Sequence, residues 1–382
     1  MSKPDEKGGF FERIAKGYFY GDSEEQYINN EYTNQLTPIQ NKHLRRIKIR
    51  THVYSALAGT LGVLLLYLPP FYFPKTFELW TVPVNLVWFS FSIPVFSLLY
   101  GIILAVVEIY FLVFLNIRAV HEMSDVCDFP PKEDPNYNFH IKSLVNIGVE
   151  KNAKNELSIG LNPYQGYSRF TVVMIFVWTK LRATLSNIVF KMILRRILGR
   201  YAVRVVVEIA GIPIMAAWNM WAANKVLKQA RVRILSPGFI QQTVIYLHKK
   251  YHNNQQFKDI LYDTMQFLAM RKRSFHENHY LLSINILKTF EIPFKDNHEV
   301  PDNFMETLKH LPQEMHNDIA HLMIIGMIVD GKISFLERKS IKELSAIGII
   351  DYSYPEVVLI MQEFVNGKGK QMLDTKLNMA IA

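Results

Sequence analysis

The sequence predicts an all-α protein with an N-terminal transmembrane helical hairpin, amphipathic and interfacial helices in the middle, and a C-terminal soluble helical bundle. Three observations carry this. His52 to Leu115 is almost entirely apolar, interrupted by Pro69-Pro70, Lys75, Glu78 and Glu108. Lys180 to Arg204 alternates an apolar face with a basic margin. Beyond Pro237, apolar residues recur at helical spacing and no strand alternation competes with them.

The 382 residues are 49% hydrophobic with a mean hydropathy of +0.05, an average that hides a greasy part and a polar part. The net charge is +9, and the basic residues flank the apolar stretches, which fits anionic lipid headgroups. No zinc-finger spacing or aromatic RNP-type stretch is present, so no nucleic-acid partner is expected. Cys127 is the single cysteine and cannot form an internal disulfide, which places the polar regions in the cytoplasm.

Residues 1–50 are polar and lack the apolar core of a removable signal peptide. Within them Phe10, Phe11, Ile14, Tyr18 and Phe19 recur at helical spacing beside Arg13 and Lys16. This is a short amphipathic helix suited to a surface or a partner.

A hydrocarbon core of about 30 Å needs roughly 20 helical residues. His52 to Leu68 with the aromatic run to Phe73 meets that requirement, Pro69-Pro70 ends the helix, and Phe71 to Pro74 with Trp80 reads as an aromatic belt. Val82 to Leu115 as one helix would reach about 50 Å, too long for a bilayer. It therefore divides into an interfacial or re-entrant piece at 82–92 and a spanning helix from about Ile93 or Pro94 to Ile117. Lys42, Arg45, Arg46, Lys48 and Arg50 precede the first helix while the intervening turn carries Lys75, so both ends of the hairpin face the cytoplasm. Glu108 is a functional candidate because a carboxylate in lipid is unfavourable. Its simpler reading is a carboxylate near the headgroups or paired within the bundle.

Residues 119–168 read as a polar connector. In 169–236, Leu181, Leu185, Ile188, Val189, Met192 and Ile193 share one helical face, bordered by Lys191, Arg195, Arg196, Arg200 and Arg204. The pattern suits a helix on an anionic membrane, or an ordinary amphipathic helix with solvated cations. Val205 to Ala223 is long enough to cross, but Lys225, Lys228, Arg231 and Arg233 follow it, so the positive-inside bias puts both flanks on one side. Gly211 and Pro213 suit a shallow hairpin or a buried helix pair better than a straight rod.

The string GIPIMAAWNMWAANKVLKQARVRILSP, Gly211 to Pro237, resembles the conserved region of the bacterial EcsC-like and YcjF-like membrane-associated families. The resemblance implies membrane association and carries no catalytic residues across.

In 237–382, Ser274-Phe275-His276-Glu277 matches Ser334-Phe335-Leu336-Glu337 at an offset of sixty residues, a weak internal repeat over 258–292 and 318–350. Each tetrapeptide reads as a capping box that starts a helix. HLMIIGMIVDGKISFLERKSIKELSAIGI resembles the tellurite-resistance TerB-like module, with Asp330, Gly331 and Glu337 at the matching positions. That resemblance implies a helical domain assembling at the membrane with an acidic turn linked to metal. Asp330 and Glu337 are therefore the candidate ligands for a divalent cation, although Met270-Arg271 stands at the corresponding turn of the first copy. With Gly331 as the sixth residue of a calcium loop, Gly326 and Ile328 would fill positions one and three, so no EF-hand is formed. The bland reading of Asp330-Gly331 is a helix-breaking turn.

His276-Glu277-Asn278-His279 falls one residue short of a zinc HExxH motif, His248 and His252 lack a third ligand, and His310, His316 and His321 are scattered. No GxSxG, GxxxxGK[ST] or GxGxxG occurs, so no cofactor is expected beyond a divalent cation at Asp330. A lipid-directed enzyme would have only scattered His, Asp and Glu to work with. These readings favour a non-enzymatic, multi-pass bacterial inner-membrane protein with both termini cytoplasmic, which anchors a TerB-like interaction domain for an unidentified protein partner. The alternative is an oligomeric transporter or channel accessory subunit using Glu108 and the re-entrant segment, which needs several copies because two or three apolar segments are few for a pore.

Overall fold

The computed structural model describes residues 10–21, 32, 35–77, 79–86, 89–149, 161, 164, 168, 170, 171, 174, 204–272, 276–295 and 298–379. Helices dominate: α1 (Phe10–Gly21), α2 (Pro38–Tyr72), α3 (Pro74–Phe77), α4 (Val95–Val126), α5 (Tyr137–Gly148), α6 (Arg204–Tyr251), α7 (Gln255–Lys272) and α8 (Glu277–Thr289). They are followed by α9 (Phe304–Lys309), α10 (Gln313–Ile328), α11 (Phe335–Ala346), α12 (Tyr354–Val365) and α13 (Gly369–Lys376). Among the described residues the chain is all-α apart from one antiparallel hairpin, β1 (Thr81–Leu86) and β2 (Phe89–Pro94), whose register runs from Thr81 opposite Pro94 to Leu86 opposite Phe89. The chain forms two compact units, one comprising 45–120 and 169–227, the other 1–44, 121–168 and 228–382.

In the apolar unit, α2 and α4 run antiparallel, as Gly62 lies against Glu108 and Gly101 against Leu66. Both helices are long and apolar enough to cross a membrane, yet only 17% and 11% of their most apolar windows is buried. A core helix of a water-soluble protein would be mostly covered. Leu57, Leu61, Leu65 and Leu68 stand exposed along α2, as do Leu99, Ile102, Ile103 and Val107 along α4. Phe71, Tyr72, Phe73 and Trp80 are exposed at the hairpin end, the location expected for an aromatic belt.

Two sequence-level expectations fail here for one reason. Pro69-Pro70 does not end the first helix, which continues to Tyr72. Proline's φ is compatible with helix and its cost is the lost amide donor. Pro69 deprives the Leu65 carbonyl of its partner, and the Tyr100 hydroxyl donates to that carbonyl at 2.7 Å instead. Gly211 and Pro213 likewise lie inside a single continuous helix, α6, rather than at the bend of a shallow hairpin or helix pair. Tertiary packing overrides the local breakers: a Cβ placed on Gly59 would lie 2.7 Å from the Met215 carbonyl oxygen, so the α6 backbone sits against the bare face of α2. The expected interfacial or re-entrant piece at 82–92 is a β-hairpin, whose strands pair along their inner edges.

In the polar unit, α1 buries Ala15 and Phe19 and packs against α5, with the Phe19 and Tyr18 rings 5.1 and 5.7 Å from His121. The expected polar connector therefore contains a buried helix: His140, Ile141, Leu144 and Val145 of α5 are core residues. Around α7, helices α8, α10 and α11 pack into the C-terminal bundle. The pairs α7/α8 and α10/α11 fall close to the sixty-residue offset of the sequence repeat. Chain continuity does not break at Pro237, because α6 runs through it and the units divide between Leu227 and Lys228.

The starts and stops follow local chemistry. Ser334 and Glu337 form the expected capping box, Glu337 N donating to Ser334 Oγ at 3.2 Å and Ser334 N to Glu337 Oε2 at 2.7 Å. Ser353 and Glu356 form another that the same spacing signals. At the first repeat copy the box is not the one expected. Ser274 and Phe275 lie outside the described residues, α8 begins at Glu277, and His276 is its cap, accepting from Asn278 N at 3.3 Å.

Candidate functional site

The expected intramembrane carboxylate is paired within the apolar unit. Glu108 sits mid-way along α4, and Asn219 of α6 donates to its Oε1 at 2.7 Å. Asn219 is buried. Across from them α2 presents Gly62, whose absent side chain leaves room for the carboxylate: a Cβ there would lie 3.3 Å from Glu108 Oε2. A small residue on one helix and two polar groups on the others is how apolar helices are joined without leaving a polar atom in hydrocarbon.

Of the basic residues expected at a membrane surface, Lys191, Arg195, Arg196 and Arg200 lie outside the described residues, and Arg204 opens α6 without a described side chain. Lys225 and Lys228 are exposed. Arg231 donates to Asn41 Oδ1 at 2.8 Å and to the Asn366 carbonyl at 3.0 Å. Arg233 cannot touch lipid, which corrects its expected role, since it is only 2% exposed and lies in the polar unit's core. A sequence shows that a cation lies near an apolar stretch but not which way its helix face turns.

Arg233 organises a buried polar network that sequence reasoning missed. Its Nη1 donates to Asn278 Oδ1 at 2.7 Å and its Nη2 to His140 Nδ1 at 2.9 Å. Arginine can only donate, so Nδ1 accepts and the imidazole proton sits on Nε2, 3.0 Å from Asp134 Oδ2. Tyr32 donates to the same carboxylate oxygen. Asn278 Nδ2 continues the chain to Ser236 Oγ at 2.8 Å and to the Val329 carbonyl at 3.0 Å. Burial, with help from Arg233, pushes His140 down to about 4 against the pull of Asp134. Burial also lowers Arg233, to about 10. For Asp134 burial acts upward, but the bonds from His140 and Tyr32 outweigh it and hold the carboxyl below its usual range. Tyrosine, aspartate and histidine in contact could move protons, yet His140 is fully buried. The arrangement joins α5, α6 and α8.

The structure brings Asp330 and Glu337 together on a cation from the other repeat copy. Lys272 Nζ, at the end of α7, lies 3.1 Å from Asp330 Oδ2 and 3.1 Å from Glu337 Oε1, with all three side chains at most 3% exposed. The ammonium occupies the position between the carboxylates that a divalent ion would take. Burial alone would raise the Asp330 carboxyl, but the charges of Lys272, His276 and Lys332 hold it below the usual range. Burial opposes the charge on Lys272, and Asp330 with Glu337 raises it regardless.

Asp330-Gly331 is the expected turn. Gly331 has φ +71, its N–H closes on the Ile328 carbonyl at 2.8 Å, and a Cβ there would strike Val232. Elsewhere, the ring of His248 on α6 and that of His252, just past the helix end, are 5.6 Å apart. Among the described residues no group of three or more His, Cys, Asp and Glu is placed to hold a metal. No family model, curated protein or solved structure matches the chain.

Proposed function

We propose that the protein is a non-enzymatic component of a bacterial inner membrane, anchored by α2 and α4, which holds its helical C-terminal domain at the cytoplasmic face as a scaffold or membrane-stress and assembly factor. One observation carries this reading: two antiparallel helices of spanning length have only 17% and 11% of their most apolar windows buried and leave rows of leucine, isoleucine and valine exposed. Water would not tolerate a patch of that extent, whereas lipid requires it. The exposed cations Arg45, Arg46, Lys48 and Arg50 on α2 support a cytoplasmic position for that end and, with it, for both chain termini. The EcsC-like and TerB-like resemblances agree with a membrane-associated adaptor whose partner is a protein bound through the bundle. Carbonate washing of native membranes tests the anchor, with the chain expected in the pellet and tags on both termini expected to be protected from external protease in intact cells. Release by carbonate, or tags on opposite faces, overturns it.

A second reading, an accessory subunit of a transporter or channel, rests on Glu108 and its partner Asn219. Glu108→Gln keeps a group that accepts from Asn219 and removes the charge. A packing role predicts unchanged membrane integration and stability within about 1 kcal/mol, whereas a proton or ion path through this residue predicts loss of transport in proteoliposomes.

A further inference from the structure

A cavity of about 280 Å³ opens between α2 and α4 and is lined by Arg50, Thr51, Tyr54, Phe111, Phe114, Leu115, Arg118 and Ala119. Its two cations are the charges that bracket the apolar segments, Arg50 just before His52 and Arg118 just after Ile117. Because the helices run antiparallel, both guanidinium groups come to the same end of the hairpin. Tyr54 is one turn deeper than Arg50, while Phe114 and Phe111 lie one and two turns deeper than Arg118 on the same helix face. The cavity is thus cationic at its rim and aromatic below, with Tyr54, Phe111 and Phe114 each more than two-fifths exposed. Thr51 gives its hydroxyl proton to the Ile47 carbonyl at 2.9 Å, and the positive charge at the rim comes from the two arginines.

We propose that this cavity is a binding site for one anionic phospholipid, its phosphate between Arg50 and Arg118 and the beginning of an acyl chain against Tyr54, Phe111 and Phe114. The planar guanidinium fork matches phosphate oxygens in pairs, which a point charge does not. Sites that enclose a whole small molecule run to roughly 300–1,000 Å³, so this smaller cavity takes the headgroup and the start of a chain while the remainder stays in the bilayer. Unlike diffuse attraction of the basic flank, it selects a lipid by charge and holds it at a fixed depth. The inference rests on α2 and α4 lying in a membrane.

The test uses delipidated full-length protein in detergent, titrated with phosphatidylglycerol or with phosphatidylcholine of the same acyl chains and read by native mass spectrometry. One phosphatidylglycerol per chain is expected to bind in preference to phosphatidylcholine. Each arginine near an anionic head contributes about fivefold, so Arg50→Gln with Arg118→Gln should weaken binding about 25-fold and abolish the preference. Arg45→Gln with Arg46→Gln, exposed on the same helix, should leave it within about twofold.

Equal weakening by both pairs, or a preference that survives the first, overturns the proposal. So does displacement of the lipid by millimolar glycerol phosphate, which would mark a site for free phosphate. If the arginine variant does not fold, Phe111→Ala carries the test, and unchanged affinity there is also fatal. Release of the protein by carbonate would sink the anchor itself, whereas retention without lipid preference sinks the cavity's assignment alone.

Discussion

The Tyr100 hydroxyl donates to the Leu65 carbonyl at 2.7 Å, the group that Pro69 leaves without an amide donor four residues on. One residue of α4 therefore repairs a break written into α2. In hydrocarbon no water can substitute for it, because every backbone polar group there must find a partner within the protein.

Tyr100→Phe removes that donor and little volume. It should cost about 1 kcal/mol, the usual scale for a hydrogen bond between membrane helices, and lower the melting temperature of the detergent-solubilised protein by a few degrees. No change would mean that the Leu65 carbonyl is served in another way.

Gly59 and Gly101 should differ although both are helical glycines facing a neighbour. A methyl at Gly59 would meet backbone at 2.7 Å, and backbone cannot swing aside, whereas at Gly101 it would meet the Leu66 side chain at an ordinary 3.5 Å. Gly59→Ala is expected to destabilise by about 1–3 kcal/mol and Gly101→Ala to be neutral or slightly stabilising through helix propensity. Thermal unfolding of the two variants side by side decides it.

Lys272→Met should be among the most damaging single changes, at about 3–5 kcal/mol, because it leaves Asp330 and Glu337 buried without their cation. Restoring part of that loss with a second change, Glu337→Gln, would identify repulsion between the acids as its source. With Lys272 in place, calorimetry with calcium, magnesium or zinc should give no stoichiometric heat, since a metal would have to displace a buried ammonium.

Acid should loosen the polar unit through its buried histidines. His140 and His279 are buried and held at about 4 and about 3, burial being the main cause in both. A histidine lowered in the folded state is protonated first in the unfolded chain. Its contribution is therefore complete above about pH 6.5 and drains away as the pH falls toward the folded value. Each should cost about 2 kcal/mol between pH 7 and pH 5. The contribution of Asp330 has the opposite origin, being present above the ordinary carboxylate range and lost only as pH falls below it. Melting temperatures measured from pH 8 to pH 5 should fall steeply below 6.5, and His279→Gln should flatten the curve.

Much of this was legible along the chain. Apolar length located α2 and α4, Ser334 and Glu337 announced the start of α11, and Asp330-Gly331 announced the end of α10, because each is a signal carried by neighbours in sequence. Glu108 was legible as a carboxylate needing a partner, but Asn219 was not legible as that partner. Arg233 was misread altogether, since its charge and its position after an apolar run are the same on a lipid-facing surface and in a core.

What the sequence by itself determined is the helical class, two apolar spans, the cap at Ser334 and the turn at Asp330-Gly331, all of which depend on residues within a turn or two of one another. The tertiary structure alone decided that Lys272 neutralises Asp330 and Glu337, that His140, Asp134 and Tyr32 meet Arg233, and that prolines 69, 70, 213 and 237 stay inside helices. Those outcomes turn on groups dozens to hundreds of residues apart. A buried charge or an orphaned carbonyl selects whichever distant partner the packing delivers, and nothing in its immediate neighbours records the choice.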